Sequence, residues 1–160
     1  MHAEPQKEHA WLQQFVGEWI SEMDCSMGPD KPRHKSQGTE SVHSLGGLWT
    51  IGEGTGEMPD GNQGFTQITL GFDPARGRFV GTFAGSMMTH LWIYEGTLDE
   101  SGNVLTLDTE GPSMAGDGTM AKYRDVVTRV SADHRILTSS MPGPDGTWID
   151  FMTAHYRRKA

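Results

Sequence analysis

Trp11-Leu12-Gln13-Gln14-Phe15-Val16-Gly17-Glu18-Trp19 is the stretch on which the reading of the fold turns. Trp11, Leu12, Phe15 and Val16 recur at the spacing of one helix face, while Glu8, Gln13 and Gln14 fall elsewhere. An amphipathic helix over 8–16 with one side to bury is therefore expected. Pro5 suits the first turn of such a helix, and Gly17 can adopt the left-handed conformation that ends it. The Gly-x-Trp step then lets the chain leave the helix and begin a strand, with the Trp19 indole lying across one end of a barrel. Gly17 and Trp19 are read as structural residues.

From Trp19 onward the apolar period becomes about two, in short segments cut by Gly, Pro, Asn and Asp. Ten strands are predicted, over 19–27, 36–45, 48–57, 64–72, 78–85, 89–99, 104–110, 119–131, 134–141 and 147–158. The turns include Gly28-Pro29-Asp30-Lys31-Pro32, Met58-Pro59-Asp60-Gly61-Asn62 and Pro142-Gly143-Pro144-Asp145-Gly146. Hairpin-linked strands in an open sheet leave two bare edges, and closure removes both. The expected fold is all-β: a closed antiparallel up-and-down barrel of about ten strands with a short N-terminal helix over one end. Ten strands exceed the ~8 whose inward side chains can just fill a barrel, so a lumen with room for a ligand is expected.

The 160 residues suit one domain over 1–160, with 1–4 as a loose tail. The 21 glycines and a charged fraction of only 21% fit many sharply turned strands. A formal net charge of -8, with no Lys/Arg-rich helix, argues against nucleic acid as a partner. Cys25 is the only cysteine, which excludes an intrachain disulfide. No apolar run approaches the ~20 residues of a membrane span, and the first residues lack an apolar signal core. A cytoplasmic protein is expected.

Phe15-Val16-Gly17-Glu18-Trp19, the strand series and the terminal Tyr156-Arg157-Arg158 together resemble the calycins: lipocalins, fatty-acid-binding proteins and nitrobindin-like barrels. Gly38-Thr39-Glu40-Ser41-Val42, Leu45-Gly46-Gly47-Leu48-Trp49, Gly77-Arg78-Phe79-Val80-Gly81-Thr82, Ser86-Met87-Met88-Thr89-His90-Leu91-Trp92 and Tyr123-Arg124-Asp125-Val126 look closer still to a bacterial family of unknown function. The resemblance covers nearly the whole chain and implies a fold without naming a ligand. It also implies that Arg157 or Arg158 packs over Trp19 as a cation–π contact worth ~1 kcal/mol. Nitrobindin-like barrels bind haem through a histidine near the C-terminal end, which makes His155 the one position at which a cofactor is conceivable. No other cofactor is expected.

The predicted sixth strand carries His90, Trp92 and Tyr94 on one face. Matching parity on other strands adds Phe79, Phe83, His43, Tyr123 and Asp125, then Trp148, Asp150 and Met152. If that face points inward, Phe79, Phe83, Trp92, Tyr94 and Met152 supply contact area while His43, His90, Tyr123 and Asp125 orient a small apolar or amphipathic ligand. In the opposite arrangement the face packs against a second copy of the chain, with Leu91, Ile93 and Glu95 looking inward.

Chemistry is sparse. The seven histidines include no His-x-His or His-Glu-x-x-His, so no metal is assigned. Gly85-Ser86-Met87 lacks the Gly-x-Ser-x-Gly elbow, and no catalytic residue is assigned. Gly52-Glu53-Gly54-Thr55-Gly56 leaves one strand face without side chains, read as a bend or an approach path. Lys31, Arg33, His34 and Lys35 form a basic loop, read as a solvated one. A ligand-binding barrel is the leading reading. The alternatives are a barrel enzyme, an isomerase or haem-dependent, using His90 with Asp125, and a homodimeric interaction module whose barrel is filled.

Overall fold

The computed structural model describes residues 2–26 and 32–160; the turn expected at Gly28-Pro29-Asp30-Lys31, and Lys31 of the basic loop, lie outside them. One helix, α1 (Lys7–Gln13), precedes the strands β1 (Gly17–Ser26), β2 (Arg33–Leu45), β3 (Trp49–Glu57), β4 (Gln63–Asp73) and β5 (Arg78–Gly85). The series continues with β6 (Trp92–Leu98), β7 (Val104–Pro112), β8 (Met120–Ser131), β9 (His134–Pro142) and β10 (Trp148–Arg158). Each strand pairs antiparallel with its neighbours in sequence, and β1 pairs with β10 to close the barrel. The tightest bends fall on glycines of positive φ, among them Gly46 and Gly47 between β2 and β3 and Gly102 between β6 and β7.

The helix is shorter than its apolar spacing suggests. After Gln13 the chain tightens into a turn, with Phe15 N–H on the Leu12 carbonyl and Val16 N–H on that of Gln13, both at 3.1 Å. Arg158 reaches back from the end of β10 and donates to the carbonyls of Val16 at 2.9 Å and Gln14 at 3.0 Å. That guanidinium takes up carbonyls which another helical turn would have used. Pro5 lies one residue ahead of the N-cap, Gln6, and so outside the first turn. Gly17 starts β1 at φ 138°, and the Arg158 guanidinium occupies the space that a side chain there would need.

Alternation sets the inside of the barrel. Trp19 and Ser21 of β1 are buried while Glu18, Ile20 and Glu22 are exposed, and Glu40 and Val42 of β2 are buried between exposed neighbours at 39 and 43. The helix plugs one end. Leu12 is 1% exposed and packs with Phe79, Tyr94, Leu105, Leu107 and Val127, while Phe15 packs with Trp19 and Val42. Trp11 donates its indole N–H to the Gly102 carbonyl at 2.6 Å. His9 takes the Gln6 N–H at 2.8 Å and bonds the Phe72 carbonyl at 3.0 Å, tying the helix start to β4. Burying apolar area at ~25 cal/mol per Å² makes this packed end the stable base of the molecule.

Candidate functional site

Above the packed end, a belt of ionisable side chains crosses the lumen. Arg135, from β9, forms an ion pair with Glu40, from β2, both with side chains about 10% exposed. The Arg135 guanidinium also lies 4.0 Å from the ring centre of Tyr156 and 4.7 Å from that of Trp19. Burial raises the Glu40 carboxyl above the ordinary glutamate range, because the attraction and hydrogen bond of Arg135 offset it only in part. A second group adjoins the first: the Tyr94 hydroxyl and the Ser139 hydroxyl both donate to the Asp125 carboxylate, the latter at 2.6 Å. Asp125 is raised by burial against those two hydrogen bonds, and Tyr94 is raised well above its usual value by burial and by the Asp125 charge. Tyr156 is raised by burial and then by Glu40, and it also feels Asp125, so the two groups form one electrostatic unit.

Toward the open end the wall becomes aromatic and sulfur-rich. His90, Trp92, Tyr123 and Phe151 follow one another edge to face, with ring centres 4.8, 5.2 and 6.1 Å apart. Tyr123 anchors this row by donating to the Pro112 carbonyl at 2.7 Å. Met23, Ile68, Phe83, Leu137 and Met152 share the inner face but are only half-buried, in contrast to the fully covered Leu105 and Leu107 near the helix. Inward side chains that keep accessible surface line a bowl whose floor is the polar belt. Two further concavities, of about 600 and 630 Å³, lie on the outer wall around Thr39, Thr55 and Phe65 and around Ile20, Gln37 and Gln63.

The face of β6 carrying Trp92 and Tyr94 points inward, while Leu91, Ile93 and Glu95 are exposed on the outside. Phe83, Trp92, Tyr94, Tyr123, Asp125 and Met152 therefore share the interior, as the parity argument requires. Phe79 is also inside, but at 2% exposure it belongs to the packed end and not to the bowl. His90 precedes β6 instead of lying on it, and its ring bonds the Glu110 carbonyl at 2.9 Å. Asp125 is engaged by Tyr94 and Ser139, so the pairing of His90 with Asp125 is not made. His43 is exposed on the outer wall, because Glu40 and Val42 take the inward positions of β2.

A register shift in β10 between Asp150 and Met152 corrects another expectation. Met152 faces in opposite Cys25 and Ser139, whereas Trp148 lies outside, stacked 4.2 Å from the Arg124 guanidinium, with Asp150 opposite Ser140 and bonded to it. Arg158, not the exposed Arg157, packs over Trp19, at 4.3 Å. His155 faces outward, stacked on His134 with their ring nitrogens 2.9 Å apart. Over Gly52 the bare face of β3 is filled by Glu40 and Ile68, and over Gly54 by Thr66. Sequence reasoning passed over Glu40, Arg135 and Ser139. A charged residue at the inward parity of Val42, or at that of Leu137, was the available sign.

Three buried polar side-chain atoms among the described residues have no hydrogen-bond partner: Arg135 Nε, Thr109 Oγ1 and His34 Nε2. All three residues share the inner face, Thr109 between Leu107 and Gly111 on β7, and His34 opposite Cys25. An unpaired buried donor or acceptor costs about 1–3 kcal/mol unless a water, an ion or a ligand meets it.

The chain matches, over residues 4–158, the family described as "Protein of unknown function (DUF1579)". It belongs to that family. No curated protein matches the chain. Among solved structures it is similar to Rv2717c from M. tuberculosis, with a TM-score of 0.69 at 14% identity over 98% of this chain and 100% of that one. It is also similar to the S-type phycobiliprotein lyase CPES from Guillardia theta, with a TM-score of 0.60 at 14% identity over 98% and 99%. A third similar structure is EF1p2_mFAP2b bound to DFHBI, with a TM-score of 0.51 at 14% identity over 95% and 99%. At these identities the likeness is one of fold. No described helix is long and apolar enough to cross a membrane.

Proposed function

We propose that the barrel binds a small, largely apolar molecule carrying one or two polar groups. The observation behind this reading is the set of partnerless polar atoms on the inner wall, Arg135 Nε and Thr109 Oγ1 above all, among half-buried apolar side chains. Phe83, Trp92, Ile68, Leu137 and Met152 supply contact area. Arg135 offers a donor, Thr109 a hydroxyl, and the Tyr94, Asp125 and Ser139 group adds polar contacts at the floor. Each neutral hydrogen bond made there adds roughly 0.5–1.5 kcal/mol, and one to a charged partner roughly 1.5–3. Affinity thus comes from desolvating the bowl, and orientation from the belt. That a barrel of this fold is bound to DFHBI supports the reading and leaves the ligand of this chain to be identified.

The test is to isolate the protein from its native host, record its visible absorption, and compare native with denaturing mass spectra. A stoichiometric small molecule lost on denaturation is the expected result. A colourless chain of bare mass that also takes up no amphipathic probe contradicts the reading.

The outer face of β6 favours a second reading, in which two copies associate there. Leu91, just before β6, and Ile93 on it are 51% and 66% exposed and two residues apart on one side of the chain, an apolar pair that a second copy could cover. Light scattering of the wild type and of Ile93→Ser tests it, with a dimer in the first and a monomer in the second expected.

A further inference from the structure

A thiol, an imidazole and a thioether line up where β1 reaches the mouth of the barrel. Cys25 is directly opposite His34 on β2 and directly opposite Met152 on β10. Opposed residues of an antiparallel pair share a face with their Cβ atoms about 4.5–5.5 Å apart. The thiol, the imidazole and the thioether therefore form one row across three adjacent strands. The row lies on the concave inner wall, where side chains from neighbouring strands converge. Met23 follows two residues along on the same face, opposite Ser36 and Ala154.

His34 Nε2 is buried and has no hydrogen-bond partner. A ring nitrogen so placed is a lone pair or a donor without an occupant, and it lies beside the only cysteine of the chain. Across the mouth, the side chains of Met58 and Met87 fill the space that side chains on Gly64 and Gly85 would take, and the Trp92 indole N–H lies 2.9 Å from the Met88 sulfur. Thioethers thus also occur in the connections from β3 to β4 and from β5 to β6.

Among the described residues no three His, Cys, Asp or Glu side chains converge, so a site for zinc or a harder ion is not built. The inventory changes once thioether sulfur is admitted. Thiolate and thioether ligands with one imidazole select monovalent copper over harder ions. We propose that Cys25, His34 and Met152 form a binding site for a soft monovalent metal ion, Cu(I) by preference, at the mouth of the barrel. On binding, the Cys25 thiol gives its proton to solvent and the sulfur bonds the metal, with no change of oxidation state. The site shares Met152 with the wall of the bowl, while Cys25 and His34 belong to it alone, so it is tested with the metal ion by itself.

Cu(I) buffered by bicinchoninate and titrated anaerobically into the full chain tests this. One Cu(I) per chain is expected, lost in Cys25→Ser. His34→Ala and Met152→Leu, both retaining the thiol, are each expected to weaken binding at least ~10-fold, the scale on which even outer-shell partners of a metal act. His134→Ala, at the outer-wall pair, is expected to leave affinity unchanged, and X-ray absorption of the loaded protein to show a mixed sulfur and nitrogen shell. Affinity unaltered by both His34→Ala and Met152→Leu, with circular dichroism confirming that the variants are folded, would mean that a lone thiol captures the ion and would overturn the site. Absence of Cu(I) uptake by the wild type would overturn it equally.

Discussion

Arg135 and Glu40 are the residues whose removal separates two kinds of stabilisation. Each is buried, and each neutralises the other's cost of leaving water. Arg135→Met strands the Glu40 carboxyl in the lumen and is expected to cost about 3–5 kcal/mol, whereas Arg135→Met with Glu40→Leu is expected to fold nearly as stably as the wild type. Urea unfolding of the three proteins checks this. Equal losses in the single and double variants would show that the pair holds the barrel by contacts other than charge.

Asp125 makes a statement about pH. Its carboxyl is raised in the folded state by burial. The folded chain therefore binds a proton there more tightly than the unfolded one. The stability this contributes is fully present below the ordinary aspartate pKa and is lost as pH rises through the folded value. Asp125→Asn removes the titration while keeping an acceptor for Tyr94. The stability of the variant relative to wild type is expected to improve between pH 4 and pH 7, measured by urea unfolding at each pH. A difference that does not change with pH would contradict the burial argument.

At the scale of elements, the join between helix and barrel hangs on Arg158. Its guanidinium caps the carbonyls of Gln14, Val16 and Ala132 and lies over Trp19, while the neighbouring Arg157 is exposed. Arg158→Ala is expected to cost roughly 2–3 kcal/mol and Arg157→Ala no more than about 0.5. At this chain length that separates their thermal midpoints by roughly 4–10 °C. Equal midpoints would assign the join to other contacts.

Strands were legible because their ends carry their own chemistry. The fifth, expected over 78–85, is Arg78–Gly85, since Asp73-Pro74-Ala75-Arg76-Gly77 before it admits little but a turn. The inward set on β6 was legible only as one of two alternating faces, and burial of Tyr94 decides between them. What could not be read was register. His43 was assigned inward by matching parity across hairpins, and Trp148 and Asp150 were grouped with Met152 across a bulge that reverses the count. Glu40 and Arg135 lie on strands far apart in sequence, so their meeting inside the barrel is a property of closure that neither local pattern contains.

The whole molecule is a closed barrel whose inner wall is fully covered at the helix end and partly accessible toward the other. Leu12, Phe79, Leu105 and Leu107 fill the helix end to a few per cent exposure or less. Beyond the belt, inward side chains remain partly accessible. The proposed binding bowl can be tested without knowing the ligand. Thr66 faces inward on β4, half-buried and opposite Gly54 and Gly85. The measurement is a titration of anilinonaphthalene sulfonate into wild type and Thr66→Trp, with thermal melts of both. An open bowl predicts saturable one-to-one binding to the wild type and its loss in Thr66→Trp, with the melting midpoint of the variant close to that of the wild type. A wild type that takes up no probe, with Thr66→Trp destabilised by the 1–3 kcal/mol that overpacking costs, would show the lumen to be full and would contradict the account.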